Sequence, residues 1–117
     1  MIRLTTGVRV YLATEPVDGR KAINGLSAVV FDAYDSSLTD GSVFVFYNRS
    51  CRQVKCLFWE RNGFVLYHKR LERGKFQIKK AETGSLEITQ DQLDWLLAGL
   101  DFSLMAEFPE LNFEHIF

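Results

Sequence analysis

The chain has 117 residues, a length that fits one folded domain and leaves no room for a second core. Hydrophobic residues make up 47% of the chain and charged residues 25%, a balance that excludes intrinsic disorder. The formal net charge of −1 favours no class of partner. Because the apolar stretches fall short of the roughly 18–20 residues that a membrane helix needs and no signal-peptide core is visible, we expect a cytoplasmic domain over residues 1–117 without a membrane partner.

The first half of the chain predicts a strand, a long helix and a central strand. Residues 9–14 read as a strand, and Asp18 is a suitable N-cap for a helix that continues through Tyr34. Gly25 lies inside this helix, where glycine is unfavourable, so we expect it to mark a close approach to a strand. Residues 42–47 are apolar at nearly every position, which predicts a central strand buried on both faces.

The second half predicts a β-hairpin, two short strands and a second helix. The hairpin covers residues 53–71, with Asn62-Gly63 as its tight turn because both residues tolerate positive φ. Short strands are predicted at 76–78 and 86–88. Thr89 and Gln92 then form a capping box that opens a helix. The apolar stripe of that helix consists of Leu93, Leu96, Leu97 and Leu100.

Together these elements predict an α+β fold. We expect a mostly antiparallel sheet of five or six strands, with the long helix on one face and the shorter C-terminal helix on an edge or on the second face. Residues 101–117 are acidic and rich in phenylalanine, and they are expected to pack on the domain or on a partner.

Charge is divided unevenly along the chain. Residues 49–80 carry ten basic and two acidic side chains, whereas residues 81–117 carry eight acidic side chains and no Lys or Arg. A basic block on one sheet is typical of a phosphate-binding surface. An acidic segment folded over the same strands would instead neutralise the block internally, and charge alone does not separate these two interpretations.

Sequence motifs of catalysis are missing. The chain contains no phosphate-binding loop, dinucleotide-binding motif or nucleophile elbow, and the predicted central strands contain only one carboxylate, Glu60. Its two cysteines, Cys51 and Cys56, are too few for a disulfide framework, and the histidines do not form a zinc pattern. We therefore predict two reduced thiols, no metal, no cofactor and no enzymatic activity.

Several blocks of the sequence, in this order and spacing, resemble the TnpB accessory protein of the insertion sequence 66 family of bacterial transposable elements. The resemblance runs from about Gly7 to Asp101. Its blocks are Asp18-x-Arg20-Lys21-x-x-x-Gly25-Leu26, Gly41-x-Val43-Phe44-Val45-Phe46, Asn48-Arg49, Lys55-x-Leu57-Phe58-Trp59-Glu60-x-x-Gly63-Phe64, Lys69-Arg70-Leu71-Glu72-x-Gly74-x-Phe76 and Gln92-Leu93-x-x-Leu96-Leu97-x-Gly99. The resemblance implies a small non-catalytic protein that accompanies a separate transposase.

With the basic block, the resemblance predicts an accessory protein that assists transposition by binding the DNA backbone and assembling with the transposase. The predicted DNA-contacting residues are Arg49, Arg52, Lys55, Lys69, Arg70, Arg73 and Lys75. A second phosphate site is predicted at the helix start, at Arg20 and Lys21, although a simple capped surface helix is the alternative. For Arg70 the alternative is a structural ion pair with Glu60 or Glu72.

A protein-interaction module without DNA contact is the competing hypothesis. Its basis is the acidic C-terminal segment, in which Phe102, Phe108 and Phe113 are the predicted partner-binding residues. Such a segment suits a basic transposase surface or a second copy of the chain, so self-association is also left open.

Overall fold

The computed structural model describes residues 7–34, 41–78 and 85–101. In chain order the elements are β1 (Val10–Ala13), α1 (Ile23–Tyr34), β2 (Val43–Tyr47), β3 (Gln53–Glu60), β4 (Gly63–Arg70), β5 (Ser85–Ile88) and α2 (Gln90–Leu97). Neither helix in this described part of the chain has the length and apolarity needed to cross a membrane.

The five strands form one mixed sheet in the order β4-β3-β2-β1-β5. Three of the four pairings are antiparallel, and β1 pairs with β2 in parallel. Parallel neighbours cannot be joined by a tight turn, and α1 lies within the connection between them. The predicted α+β class is therefore confirmed, with one parallel pairing that the strand-by-strand reading did not foresee.

Strand β2 is the centre of the protein, as its apolar sequence predicted. All five of its residues are buried, and their side chains alternate between two cores. Val43, Val45 and Tyr47 face the core under α2, whereas Phe44 and Phe46 face the core under α1. Helix α2 thus covers the second face of the sheet, one of the two positions expected for it.

Helix α1 begins at Ile23, so the prediction of a long helix from Asp18 is wrong. The Asp18 carboxylate accepts a hydrogen bond from the Arg20 backbone N–H at 2.9 Å, and the Asp18 carbonyl accepts from Lys21 N–H at 3.0 Å. Asp18 therefore closes a turn before the helix. Short polar side chains can form such a turn instead of capping a helix. The helix itself has 12 residues.

Gly25 serves a different purpose from the predicted one. A Cβ atom at this position would lie 3.2 Å from Cγ of Lys21, so the glycine makes room for a side chain of the preceding turn. The predicted close approach to a strand is not what this position accommodates.

The β3–β4 hairpin is confirmed, but its turn is one residue earlier than predicted. Glu60 pairs with Gly63, so the loop residues are Arg61 and Asn62, and Arg61 takes the positive φ of 53°. The Trp59 and Phe64 rings form an edge-to-face pair with centroids 5.0 Å apart, and the Trp59 indole N–H donates to the Arg61 carbonyl at 3.1 Å. This register is stabilised by the aromatic pair beside the turn.

The predicted strand at 76–78 is absent, and the segment is irregular. Phe76 is nevertheless buried, and its backbone N–H donates to the Cys51 carbonyl at 2.8 Å. The hydrogen bond holds the segment against the β2–β3 turn, and the side chains of Phe76 and Ile78 pack on the core without any strand pairing.

Helix α2 confirms the capping box and corrects the apolar stripe. Both side-chain-to-backbone bonds between Thr89 and Gln92 are present, and the leucines at 93, 96 and 97 are buried. Leu100 is 49% exposed because the helix ends before it, at Leu97, and Gly99 follows with a φ of 82° that suits a glycine.

Candidate nucleic-acid interface

One end of the sheet gathers several of the cations predicted to contact DNA. The β2–β3 turn lies there, since Tyr47 pairs with Val54, and β4 ends there, since Arg70 pairs with Gln53. The chain after β4 stays at this end because Leu71 N–H donates to the Arg52 carbonyl at 2.9 Å. We call the exposed side chains at this end the basic end; they are Arg49, Arg52, Arg73 and Lys75.

These four cations are open to a ligand. Among the described residues, the ion pairs within 4.0 Å are Arg20–Asp18 and Arg70–Glu72, neither of which involves the basic end. Exposed, unpaired arginine and lysine are the side chains that contact phosphates in protein–DNA interfaces. The alternative interpretation was internal neutralisation by the acidic segment, and no described residue of 81–117 forms an ion pair with the basic end.

The β2–β3 turn is organised by the side chain of Asn48. Its Oδ1 accepts hydrogen bonds from the backbone N–H groups of Arg52 at 3.1 Å and Gln53 at 3.0 Å. The Asn48 carbonyl accepts from Cys51 N–H at 3.0 Å, and Cys51 has a φ of 59°. Arg49 and Ser50 therefore stand at the exposed tip of a turn that is held from inside.

Lys55, one of the predicted DNA-contacting residues, lies beneath the surface of the interface and not on it. Its side chain is only 8% exposed, and its Nζ donates to the carbonyl oxygens of Gly19 at 2.7 Å and Lys21 at 2.6 Å. It shares the face of β3 with Leu57, under the turn that precedes α1. The ammonium group therefore supports that turn and is withdrawn from the surface.

Lys69 is also used inside the fold. Its Nζ donates to the Leu97 carbonyl at 2.6 Å, at the C-terminal end of α2. That helix has no basic residue in its own last turn, so a neighbouring strand supplies the cation that suits the negative end of a helix dipole. We therefore leave Lys69 out of the interface.

Arg70 forms the ion pair with Glu72, at 3.0 Å, that was one of its two structural alternatives. The predicted proximity to Glu60 is wrong, because the hairpin register places Glu60 opposite Gly63, at the other end of β4. The two paired side chains are 63% and 78% exposed, and such surface pairs contribute little stability. Arg70 thus lies at the same end as the other arginines, with a carboxylate beside it.

The predicted phosphate site at the helix start is a turn rather than a helix N-terminus. Arg20 is bound to the Asp18 carboxylate, with Nη2 and Oδ2 2.8 Å apart. This hydrogen-bonded guanidinium holds the pKa of Asp18 well below its ordinary value. Lys21 is exposed and remains beside the basic end, while its carbonyl holds Lys55.

His68 lies opposite Lys55 in the β3–β4 pairing. Partial burial lowers its pKa from the ordinary value, and the positive charges of Lys55 and Arg70 lower it further. Both effects disfavour the charged imidazolium at this end of the sheet.

A groove opens between the turn before α1 and the β2–β3 turn. It encloses about 500 Å³ and is lined by Pro16, Val17, Asp18, Gly19, Asn48, Arg49 and Ser50. Sequence reasoning missed Asn48 and Ser50 as members of this site. Their turn-forming residue types could have indicated an ordered turn, but only the fold brings that turn beside residues 16–19.

The remaining site predictions lie outside what the structure describes or are not tested by it. Phe102, Phe108 and Phe113 fall outside the described residues. Within those residues, no cluster of three or more His, Cys, Asp or Glu side chains is arranged to hold a metal ion.

Comparison with known proteins finds one matching family model, described as IS66 Orf2-like protein, over residues 8–107. The uncharacterized protein y4jC of Sinorhizobium fredii (strain NBRC 101917 / NGR234) is 36% identical over 109 residues, which cover 93% of each chain. The uncharacterized protein y4hO of the same strain is 37% identical over 95 residues, covering 81% of this chain and 83% of its own. No solved structure gives a significant match.

Proposed function

Because the chain belongs to the IS66 Orf2-like family of insertion-sequence accessory proteins, we propose that it assists transposition by binding the phosphate backbone of DNA. In this role it holds DNA for a separately encoded transposase and catalyses no step itself.

The observation that carries this proposal is the basic end. Arg49, Arg52 and Arg73 are exposed, lie at one end of the sheet and have no carboxylate partner within 4.0 Å among the described residues. The Asn48 side chain orders the turn that presents two of them. A turn that is already ordered loses less backbone entropy when its cations meet phosphates, which favours binding.

The test is the salt dependence of DNA binding. Fluorescence anisotropy would follow a duplex carrying the terminal repeat of the element, and a scrambled duplex, from about 50 to about 200 mM salt. A triple variant, Arg49→Gln, Arg52→Gln and Arg73→Gln, should flatten the log–log slope by up to about 2.7 units, since each lost phosphate contact removes about 0.9.

The matched control is Arg61→Gln. Arg61 is also exposed, but it lies in the β3–β4 turn, at the opposite end of the sheet. This variant should keep the wild-type slope. Absence of DNA binding at the lowest salt, or an equal effect of the control and the triple variant, would contradict the proposal.

Assembly with the transposase is the second part of the proposal. Its support is the charge of residues 81–117, which carry eight acidic side chains and no basic ones. Replacing Phe102, Phe108 and Phe113 by alanine in the full chain should abolish co-purification of the transposase. Phe31→Ala, at a phenylalanine of α1 that is 71% exposed, is the control. Unchanged co-purification by the triple variant would rule out these phenylalanines as the contact.

A further inference from the structure

The groove between residues 16–19 and the β2–β3 turn is lined by a serine hydroxyl, Ser50, whose oxygen already accepts one hydrogen bond. Oδ1 of Asn48 accepts from two backbone N–H groups, which settles which end of the amide is oxygen. Nδ2 is then the donor in its 3.1 Å contact with Oγ of Ser50, so the serine oxygen is the acceptor there. The hydroxyl hydrogen of Ser50 therefore remains available for a ligand.

Positive charge surrounds this donor from two sides. Arg49 lines the groove and is exposed. A small cavity shares Val17, Gly19 and Asn48 with the groove and also touches Lys55, whose ammonium group is held by two carbonyl oxygens. No described carboxylate pairs with Lys55, so this cavity places a cation without a carboxylate partner near the groove wall.

The carboxylate in the groove wall, that of Asp18, already accepts hydrogen bonds from Arg20. Asp18 accepts hydrogen bonds from the backbone N–H, Nε and Nη2 of Arg20, at 2.9, 3.1 and 2.8 Å. The opposing wall is close, because a Cβ at Gly19 would lie 3.2 Å from Oε1 of Gln53 and 3.3 Å from Cβ of Asn48. The groove thus combines an ion-paired carboxylate, the Arg49 cation and the Ser50 hydroxyl, and Lys55 lines the small cavity beside it.

From this arrangement we propose that the groove binds one phosphodiester group of the DNA backbone, an inference that rests on the proposed function. The Arg49 guanidinium and the Ser50 hydroxyl donate to its oxygens, and Lys55 contributes charge from below as a positioning residue. This assigns a specific phosphate subsite within a surface that otherwise attracts DNA by charge alone.

The first experiment is an NMR titration of the full-length, ¹⁵N-labelled protein. Inorganic phosphate and a short DNA duplex are added in separate arms. Both should move the amide signals of Val17, Gly19 and residues 48–50 at lower concentration than those of Arg73 and Lys75. Phosphate-induced shifts spread evenly over the whole basic end would overturn the subsite.

The second experiment measures DNA affinity of serine variants. Ser50→Ala should weaken binding about tenfold or more, as expected for one lost hydrogen bond to a charged group, whereas Ser50→Thr keeps the hydroxyl and should bind like wild type. Ser27→Ala is the control, because Ser27 lies on α1 and its hydroxyl donates to the Asn24 carbonyl. Wild-type affinity of Ser50→Ala would also overturn the proposal.

The phosphate and DNA titrations together distinguish failure of the phosphate subsite from failure of the proposed DNA binding. DNA binding with an unresponsive groove would leave the function standing and remove the subsite. Phosphate shifts in the groove without any DNA binding would reject the function and show that the groove takes free phosphate only.

Discussion

At the scale of single residues, position in the fold decides what a cation does. Lys55, Lys69 and Lys75 all belong to the basic block of the sequence. Lys55 is buried on two carbonyls, Lys69 caps a helix end and Lys75 is exposed. A lysine can bury its long stem and still place its charge on backbone acceptors, so residue type alone does not identify a surface cation.

Lys55→Met should destabilise the protein by about 1–3 kcal/mol, because the Gly19 and Lys21 carbonyls lose their buried donor. Chemical denaturation would measure the free energy of unfolding. Lys75→Met is the control at an exposed position and should change it by less than about 0.5 kcal/mol. Equal stabilities of the two variants would mean that the Lys55 hydrogen bonds do not hold the turn.

The two cysteines also differ because of their positions in the fold. Cys56, on β3, is buried in the core, and burial raises the pKa of its thiol to about 12. Cys51, in the β2–β3 turn, is only partly buried. Both are free thiols, as the sequence predicted.

At the scale of elements, helix α2 is stabilised at both ends by contacts of different origin. Its N-terminus has a capping box within four consecutive residues, 89–92. Its C-terminus has paired bonds from Gly99 N–H to the Leu96 carbonyl and from Leu100 N–H to the Trp95 carbonyl. Lys69 of β4 adds a tertiary hydrogen bond at this end, because its Nζ donates to the Leu97 carbonyl.

Thr89→Ala should lower the free energy of unfolding by about 1 kcal/mol, since the Gln92 backbone N–H loses its acceptor at the helix start. Thr89→Ser keeps the hydroxyl and should stay close to wild type in thermal or chemical unfolding. A similar loss in both variants would show that the threonine methyl group, rather than the cap, provides the stability.

At the scale of the whole molecule, the sheet order explains how a chain of near-zero net charge acquires a basic end. The β2–β3 turn and the end of β4 lie side by side because β2, β3 and β4 are antiparallel neighbours. The parallel β1–β2 pairing brings residues 16–19 to the same end, where Val17 forms a bridge to Asn48. Residues distant in sequence therefore share one surface and one groove.

The sequence by itself determined those features that depend on short-range patterns. The continuous apolar run of β2, the pairing of β3 with β4 and the Thr89–Gln92 box all appear in the structure as predicted. Each follows from periodicity or from contacts within a few residues. The family, too, could be identified from ordered sequence blocks.

Only the tertiary structure decided which charges face solvent and where turns begin. Asp18 suits a helix N-cap, but its carboxylate binds Arg20 and the helix starts at Ile23. Lys55 and Lys69 find their acceptors on Gly19 and Leu97, which are far from them in sequence. The groove forms only because the β1–β2 pairing places residues 16–19 beside the β2–β3 turn. Such contacts depend on which elements become neighbours, and local patterns do not contain that information.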